Sequence, residues 1–330
     1  MIDSKDISVV VQGAIDPKYT KKCLKSIRKH LPKAEIILST WEGSIVDGLD
    51  YDILVENEDP GAIIQDFECN IYNNVNRQLI SSQNGLKKVS RKYTLKLRTD
   101  FYLKGNRFLK YFDKFPVRND KYAFFKHRVI VSSLYSREFS AERKKIKTPF
   151  HPSDFYFFGL TEDVKSYFEN IPIMKKEDMA NYHYLYKERK PFLACTFRYS
   201  PEQYFCINYV WQHYPDIKFD DWTDWNDENI EFSKQFLYNN FIFLGLRESQ
   251  IYSNKHRLAL IYEWRGIRGL IFYQRFIKRY KRYCDKNYKH KLDINPSYLY
   301  DCFKYDLFIW INNTRYLFYN IFRTFYYEFC

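Results

Sequence analysis

The run Leu95-Lys96-Leu97-Arg98-Thr99-Asp100-Phe101 has the form of a strand that delivers a guanidinium and a carboxylate at its end. A carboxylate so placed can hold a divalent cation, Mn²⁺ or Mg²⁺, against a diphosphate, because Mg²⁺ takes one or two protein carboxylates plus phosphate oxygens. The structural alternative is an Asp100 that caps a turn, with Arg98 paired to it on the surface. Asp154, in Phe150-His151-Pro152-Ser153-Asp154-Phe155, precedes an aromatic run that must be buried, and is a candidate for holding acceptor hydroxyls. Its alternative is a turn aspartate bonded to nearby backbone, common after Pro-Ser. Glu202 is a candidate general base toward an acceptor hydroxyl. Acids are favoured in a first helical turn whatever the function, so position alone favours the structural reading of Glu202.

These side chains need elements to carry them. Short apolar runs predict strands at 7–11, 35–38, 51–55 and 93–97, with amphipathic helices at 19–30 and 70–89. Such alternation predicts an α/β fold, a mostly parallel sheet with helices on both faces. The strands are followed by Gln12-Gly13, by Thr40-Trp41-Glu42, by Asn57-Glu58-Asp59-Pro60-Gly61 and by Arg98-Thr99-Asp100. Open α/β sheets bind ligands beyond the carboxyl ends of their strands. Here those ends gather glycine, amide, indole, carboxylate and guanidinium, the groups a nucleotide needs. Further strands are expected at 122–131 and 155–158, and a helix capped by Thr161 runs to 168. Another helix opens at Ser200-Pro201-Glu202-Gln203, where Ser200 caps, Pro201 takes the first position and Gln203 completes a capping box.

A hydrophobic share of 45% supports a sizeable core and excludes wholesale disorder. The seven cysteines form no CxxC pair and read as reduced thiols. The first residues carry acids where a signal peptide needs bases, and no uncharged stretch approaches the roughly 20 residues that span a bilayer, so a cytoplasmic protein is expected. No zinc spacing, P-loop, GxGxxG or GxSxG appears, which argues against a structural zinc, a kinase, a dehydrogenase and a serine hydrolase. A net charge of +13 implies anionic company. Seven basic residues and no acid lie between Arg265 and Arg282; on a helix, Leu270, Tyr273, Phe276, Ile277 and Tyr280 share the opposite face. Such a segment reads as a membrane-surface element or as a packed helix with a solvated basic face. A nucleic-acid-binding protein would need bases interleaved with stacking aromatics on one surface, and the basic run is confined to one late segment, so no nucleic-acid partner is expected.

The motifs Ile7-Ser-Val-Val-Val-Gln-Gly-Ala14, Ile37-Leu-Ser-Thr-Trp-Glu-Gly43, Leu54-Val-Glu-Asn-Glu-Asp-Pro-Gly61, Asn76-Arg-Gln78, Leu97-Arg-Thr-Asp-Phe101, His151-Pro-Ser-Asp-Phe155 and Pro201-Glu-Gln203 together resemble the WavE lipopolysaccharide-synthesis family, over about residues 5–255. That resemblance implies a GT-A-like, Rossmann-type mixed sheet flanked by helices in a catalytic domain at 1–256, with a basic, aromatic-rich helical extension at 257–330 for membrane or oligomer contact. It implies a glycosyltransferase that moves a sugar from a nucleotide-sugar donor to a lipopolysaccharide or capsule acceptor, peripheral on the anionic inner face of the cytoplasmic membrane. Gln12, Gly13, Trp41, Glu42, Asn57 and Asp59 would line the nucleotide pocket, Arg77 and Arg98 would approach the phosphates, and Glu202 would stand near the acceptor. Asp100 would replace the DxD aspartates of GT-A enzymes. Tyr102 occupies the second acidic position, so a metal would need a late ligand such as His256, or arginine and lysine would offset the diphosphate charge instead. The rival reading is a non-catalytic scaffold docked on membranes.

Overall fold

The computed structural model of the protein describes residues 2–66, 71–139, 147–175, 198–221, 226–254 and 269–290, with isolated positions at 178, 296, 300, 303, 307 and 311. The chain runs through β1 (Ile7–Gln12), α1 (Pro17–His30), β2 (Glu35–Trp41) and β3 (Ile53–Asn57), then a small antiparallel pair, β4 (Ile63–Asp66) with β5 (Ile71–Asn73). Next come α2 (Val75–Lys87), β6 (Tyr93–Arg98), β7 (Phe101–Leu103), β8 (Val129–Ser132), β9 (Tyr156–Leu160) and α3 (Thr161–Glu169). The remainder comprises α4 (Pro201–His213), α5 (Asp227–Asn240), β10 (Phe241–Leu244), α6 (Leu246–Ser249), β11 (Ile251–Ser253) and α7 (Tyr273–Tyr283).

Seven strands form one sheet in the order β10-β8-β9-β6-β1-β2-β3. Strands β3, β2, β1 and β6 are parallel, as are β8 and β10, while β9 runs antiparallel to both of its neighbours. The fold is therefore a GT-A-like mixed sheet of the α/β class, flanked by helices. Strand β1 is buried at every position, as its β-branched run requires with both faces covered. In α1, Asp16 accepts from the backbone of Lys18 and Tyr19, Pro17 takes the first position, and Cys23, Leu24 and Ile27 face the core. Helix α2 lies close across β1 and β2 at Gly85, where a Cβ would stand 2.5 Å from Val10 Cγ1 and 3.0 Å from Ser39 Cβ. The capping box of α4 forms as expected from Ser200 and Gln203.

Some elements differ from expectation, each for a local reason. The helix expected from residue 70 begins at Val75, because residues 71–73 pair with β4 and the Asn73 side chain accepts from the Val75 amide at 2.9 Å. Of the strand expected over 122–131 only the end forms. The amides of Phe124 and Phe125 donate to Asn240 Oδ1, and those of Lys126 and His127 to the Asp163 carboxylate, so side chains replace ladder partners. Thr161 is the first residue of α3 rather than its cap, and its hydroxyl donates to the Arg91 carbonyl at 2.6 Å.

The described part of the late basic segment, through α7, packs into the hydrophobic core. Leu270, Tyr273, Phe276, Ile277 and Tyr280 are all buried, with Phe276 against Phe115, Tyr238 and Phe243. Arg279 makes a two-pronged pair with Glu138 at 2.7 and 2.8 Å, and that carboxylate also accepts the Tyr238 hydroxyl. The apolar face is thus spent on packing, which favours the packed-helix reading of this segment. Among the described residues no helix is long and apolar enough to cross a membrane, and Cys23, Cys206 and Cys284 are free thiols.

Replacing Gly85 by valine drives methyl groups into β1 and β2, which cannot retreat. Urea unfolding of Gly85→Val is expected to show a loss of about 2–3 kcal/mol; wild-type stability would mean α2 does not seat on the sheet at this residue.

Candidate functional site

A cleft of about 260 Å³ opens at the carboxyl ends of β1, β2 and β6, lined by Gln12, Gly13, Trp41, Arg77, Arg98 and Asp100 among the expected residues. Ala14, Asn74, Gln78 and Thr99 complete its wall. Adjacent strand ends are stitched together beneath it. The Thr99 amide donates to the Gln12 carbonyl at 3.1 Å, the Thr99 hydroxyl to Ala14 O at 2.8 Å, and the Gly13 amide to Ser39 O at 3.0 Å. Gly13 has φ +118°, a backbone state strained for any residue with a side chain. The Gln12 amide oxygen accepts from Ser81 of α2 at 2.6 Å, which fixes that side chain at the cleft floor.

The first turn of α2 supplies the opposite wall. Its N-cap, Asn74, makes no side-chain capping bond; its oxygen accepts from Arg77 instead, at 3.0 Å. Asp59 receives the other edge of the Arg77 guanidinium in two bonds of 2.7 Å. Asp59 therefore holds an arginine of the cleft without lining the cleft itself, and that bonding lowers its pKa. Asn57 and Glu42 also stand outside the cleft wall. Asn57 is buried and clamps β2 and α2, donating to Ser39 Oγ and Thr40 O and accepting from Asn84 at 2.8 Å. Glu42 is exposed, and its amide donates to Asn57 O at 2.9 Å.

Arg98 links the cleft to the carboxyl pair. Its guanidinium grips Asp100 at 3.1 and 3.0 Å, so both alternatives for Asp100 apply in part: it is ion-paired, yet only 3% exposed at the base of a cleft. Burial works against the charge of Arg98, but Asp100, Asp154 and Glu202 outweigh it and raise its pKa. Asp154 is 5% exposed, and its Oδ1 is buried with no hydrogen-bond partner. Burial and then the nearby Glu202 push the Asp154 carboxyl above the ordinary range, against the pull of Arg98 and Lys96. Glu202, with 13% of its side chain exposed, is likewise pushed up by burial, against its own backbone bond and Arg137. Both carboxyls are thus shifted toward their neutral forms, chiefly by burial.

Three neighbours carried no assignment in the sequence. Lys96, fully buried on β6, donates to the Asp154 carbonyl at 2.9 Å and lies over the rings of Phe157 and Phe168. Burial brings its pKa down to about 7, with Asp154 opposing and Arg98 assisting. His151 contacts Ser200 Oγ at 3.1 Å and lies 3.9 Å from Glu202. Gln78 donates to the same Asp154 carbonyl as Lys96, at 3.1 Å. A lysine inside an otherwise apolar strand was the legible signal for the first. For His151, the left-handed backbone of its neighbour Phe150 (φ 56°) marks a strained turn that sequence does not display.

Asp100 is the one carboxylate among the described residues that lines the cleft. Both carboxylate oxygens are bonded to Arg98, and no group of three His, Cys, Asp or Glu side chains suited to a metal occurs among the described residues. His256, the expected second ligand, lies outside the described residues.

Burial and then Arg137 lower the His151 pKa from 6.5 to about 3. The folded protein keeps this ring neutral where the unfolded chain protonates it, so its contribution is full above pH 6.5 and is lost as pH falls toward 3, at up to about 1.4 kcal/mol per pH unit. Unfolding measured across that window is expected to show a shallower acid limb in His151→Gln than in the wild type. Equal slopes would mean the ring is charged in the fold.

A comparison with curated proteins returns no match. The family described as WavE lipopolysaccharide synthesis matches residues 7–301, past the 5–255 span of the motifs and through α7. With most of its length matched, the chain belongs to the WavE lipopolysaccharide synthesis family.

Proposed function

We propose that the protein transfers a sugar from a nucleoside-diphosphate donor to a hydroxyl of a lipopolysaccharide, lipooligosaccharide or capsule acceptor. The observation that carries this reading is the convergence of Arg77 and Arg98 on one cleft at the strand ends, with Asp154 and Glu202 near enough to Arg98 to raise its pKa. Trp41 offers a flat ring for a base, and Gln12, Asn74 and Gln78 offer amides for sugar and phosphate oxygens. The diphosphate would lie between the two guanidiniums and the positive end of α2, where charge grows as the glycosidic bond breaks. The acceptor oxygen forms the new bond to the sugar carbon, and the diphosphate departs with the electron pair of the old one. Glu202, the more open of the two carboxyls, takes the hydroxyl proton as its carboxylate; Asp154 orients the acceptor. In this reading arginine offsets the charge of the leaving group, and no step is routed through a cation.

Family membership supports lipid-linked acceptors and a place at the inner membrane face. Tyr300, Phe303, Leu307 and Ile311, exposed at helical spacing, support the C-terminal extension as a membrane or oligomer contact.

Calorimetric titration with UDP, GDP, CMP and dTDP, each with and without Mn²⁺, tests the donor site. One nucleotide is expected to bind without metal, and Arg98→Ala or Arg77→Ala to weaken it about tenfold or more, as loss of a charge-assisted bond implies. Absence of binding by every nucleotide would overturn the transferase reading, and binding only with Mn²⁺ would restore the cation. For Glu202→Gln, donor affinity should persist while turnover falls about 10²–10⁴-fold; unchanged turnover would remove Glu202 as the base.

A further inference from the structure

Helix α1 carries Lys18, Lys21, Lys22, Lys25 and Lys29, which recur three or four residues apart and are all exposed, while Thr20, Cys23, Leu24 and Ile27 are buried beneath the other face. With Lys104 they line a shallow groove of about 720 Å³ with no acid among the described residues of its wall. Like charges at these spacings repel and weaken a helix, and Lys18 stands in the first turn, where the helix dipole is unfavourable to a cation. The first turn holds no acid, and Asp16 at the N-cap is the one carboxylate at this end of the helix.

The groove has a built floor. Lys22 Nζ lies 3.3 Å from the Tyr102 ring centroid and donates to Asn254 Oδ1 at 2.8 Å, and Lys104 Nζ lies 4.1 Å from the Tyr252 ring. Tyr102 follows two residues after Asp100 on the strand that leaves the catalytic cleft, and Pro17 lies three residues beyond Ala14 of the cleft wall. The two sites therefore share two chain segments. The lysine row extends about 16 Å along α1 at the rise of an α-helix. An open, straight row of that length matches a planar array of negative charges better than one compact ion.

We infer that the α1 face is an electrostatic docking surface for anionic phospholipid headgroups. Four to eight basic residues clustered on a helix bind anionic bilayers, each adding roughly fivefold to the affinity. The apolar side of α1 is packed into the domain, so contact is through the ammonium groups and does not require insertion. This goes beyond the transferase reading, and vesicle binding tests it without any donor or acceptor.

The measurement is co-sedimentation of the full chain with phosphatidylcholine vesicles and with phosphatidylcholine–phosphatidylglycerol vesicles. The wild type is expected to bind only the anionic ones, and less as salt rises. The triple variant Lys18→Gln/Lys21→Gln/Lys25→Gln should lose on the order of 100-fold in affinity. A control, Lys5→Gln/Lys33→Gln/Lys88→Gln, removes the same charge from other exposed positions and should bind like the wild type. All six lysines are exposed, and glutamine matches lysine in helix propensity, so circular dichroism should confirm that both variants fold. Equal losses in the two triples would reduce the effect to net charge and overturn the inference. So would no binding by the wild type, or equal binding to both vesicle types. Displacement by inorganic phosphate, at an ionic strength where chloride does not displace, would reassign the groove to free phosphate.

Discussion

The reversal of β9 beside β6 is the constraint on which the site depends. Strand β6 is paired parallel to β1 on one side and antiparallel to β9 on the other, with Leu97 opposite Tyr156. The carboxyl end of β6 and the entry to β9 therefore meet at one place. A parallel neighbour would have sent the Asp154 turn to the opposite edge of the sheet, away from Arg98. Lys96 fastens the junction from below, and Gln78 of α2 shares the carbonyl it holds. Two elements distant in sequence thus converge on the backbone of one aspartate.

Charge in this site is organised around arginines with fixed orientations. Arg77 is held by Asp59 and Asn74, and Arg98 by Asp100. Each guanidinium is oriented before any ligand arrives, so little reorganisation is asked of it when a negative group enters. Burial shifts Asp154 and Glu202 toward neutrality, and both act electrostatically on Arg98. The Arg98 guanidinium opposes the repulsion by which Glu202 raises the pKa of Asp154.

Much of this was written in local sequence. The strand-end groups at Gln12, Trp41 and Arg98 reach the cleft because a strand's end is fixed by its own apolar run, and the Ser200 capping box forms from adjacent residues. Asn57 and Glu42 also follow strands yet stand outside the cleft wall: hydrogen bonds to Ser39, Thr40 and Asn84 hold Asn57, and those partners are not local. The late basic helix matched its expected periodicity. Whether its apolar face meets lipid or protein depends on Phe115, Tyr238 and Phe243, which no inspection of residues 265–282 could supply. The direction of β9 was hidden as well, since an apolar run has no arrow.

Lys96 has a consequence for the heat of binding. Burial brings its pKa down to about 7, within reach of neutral pH, and it is electrostatically coupled to Arg98, which lines the cleft. An anion seated against Arg98 adds negative potential there and draws a proton onto the buried amine. Ligand binding and proton uptake are then a single thermodynamic event. The apparent enthalpy will change with the ionisation heat of the buffer, so two laboratories using phosphate and Tris would report different heats for the same complex.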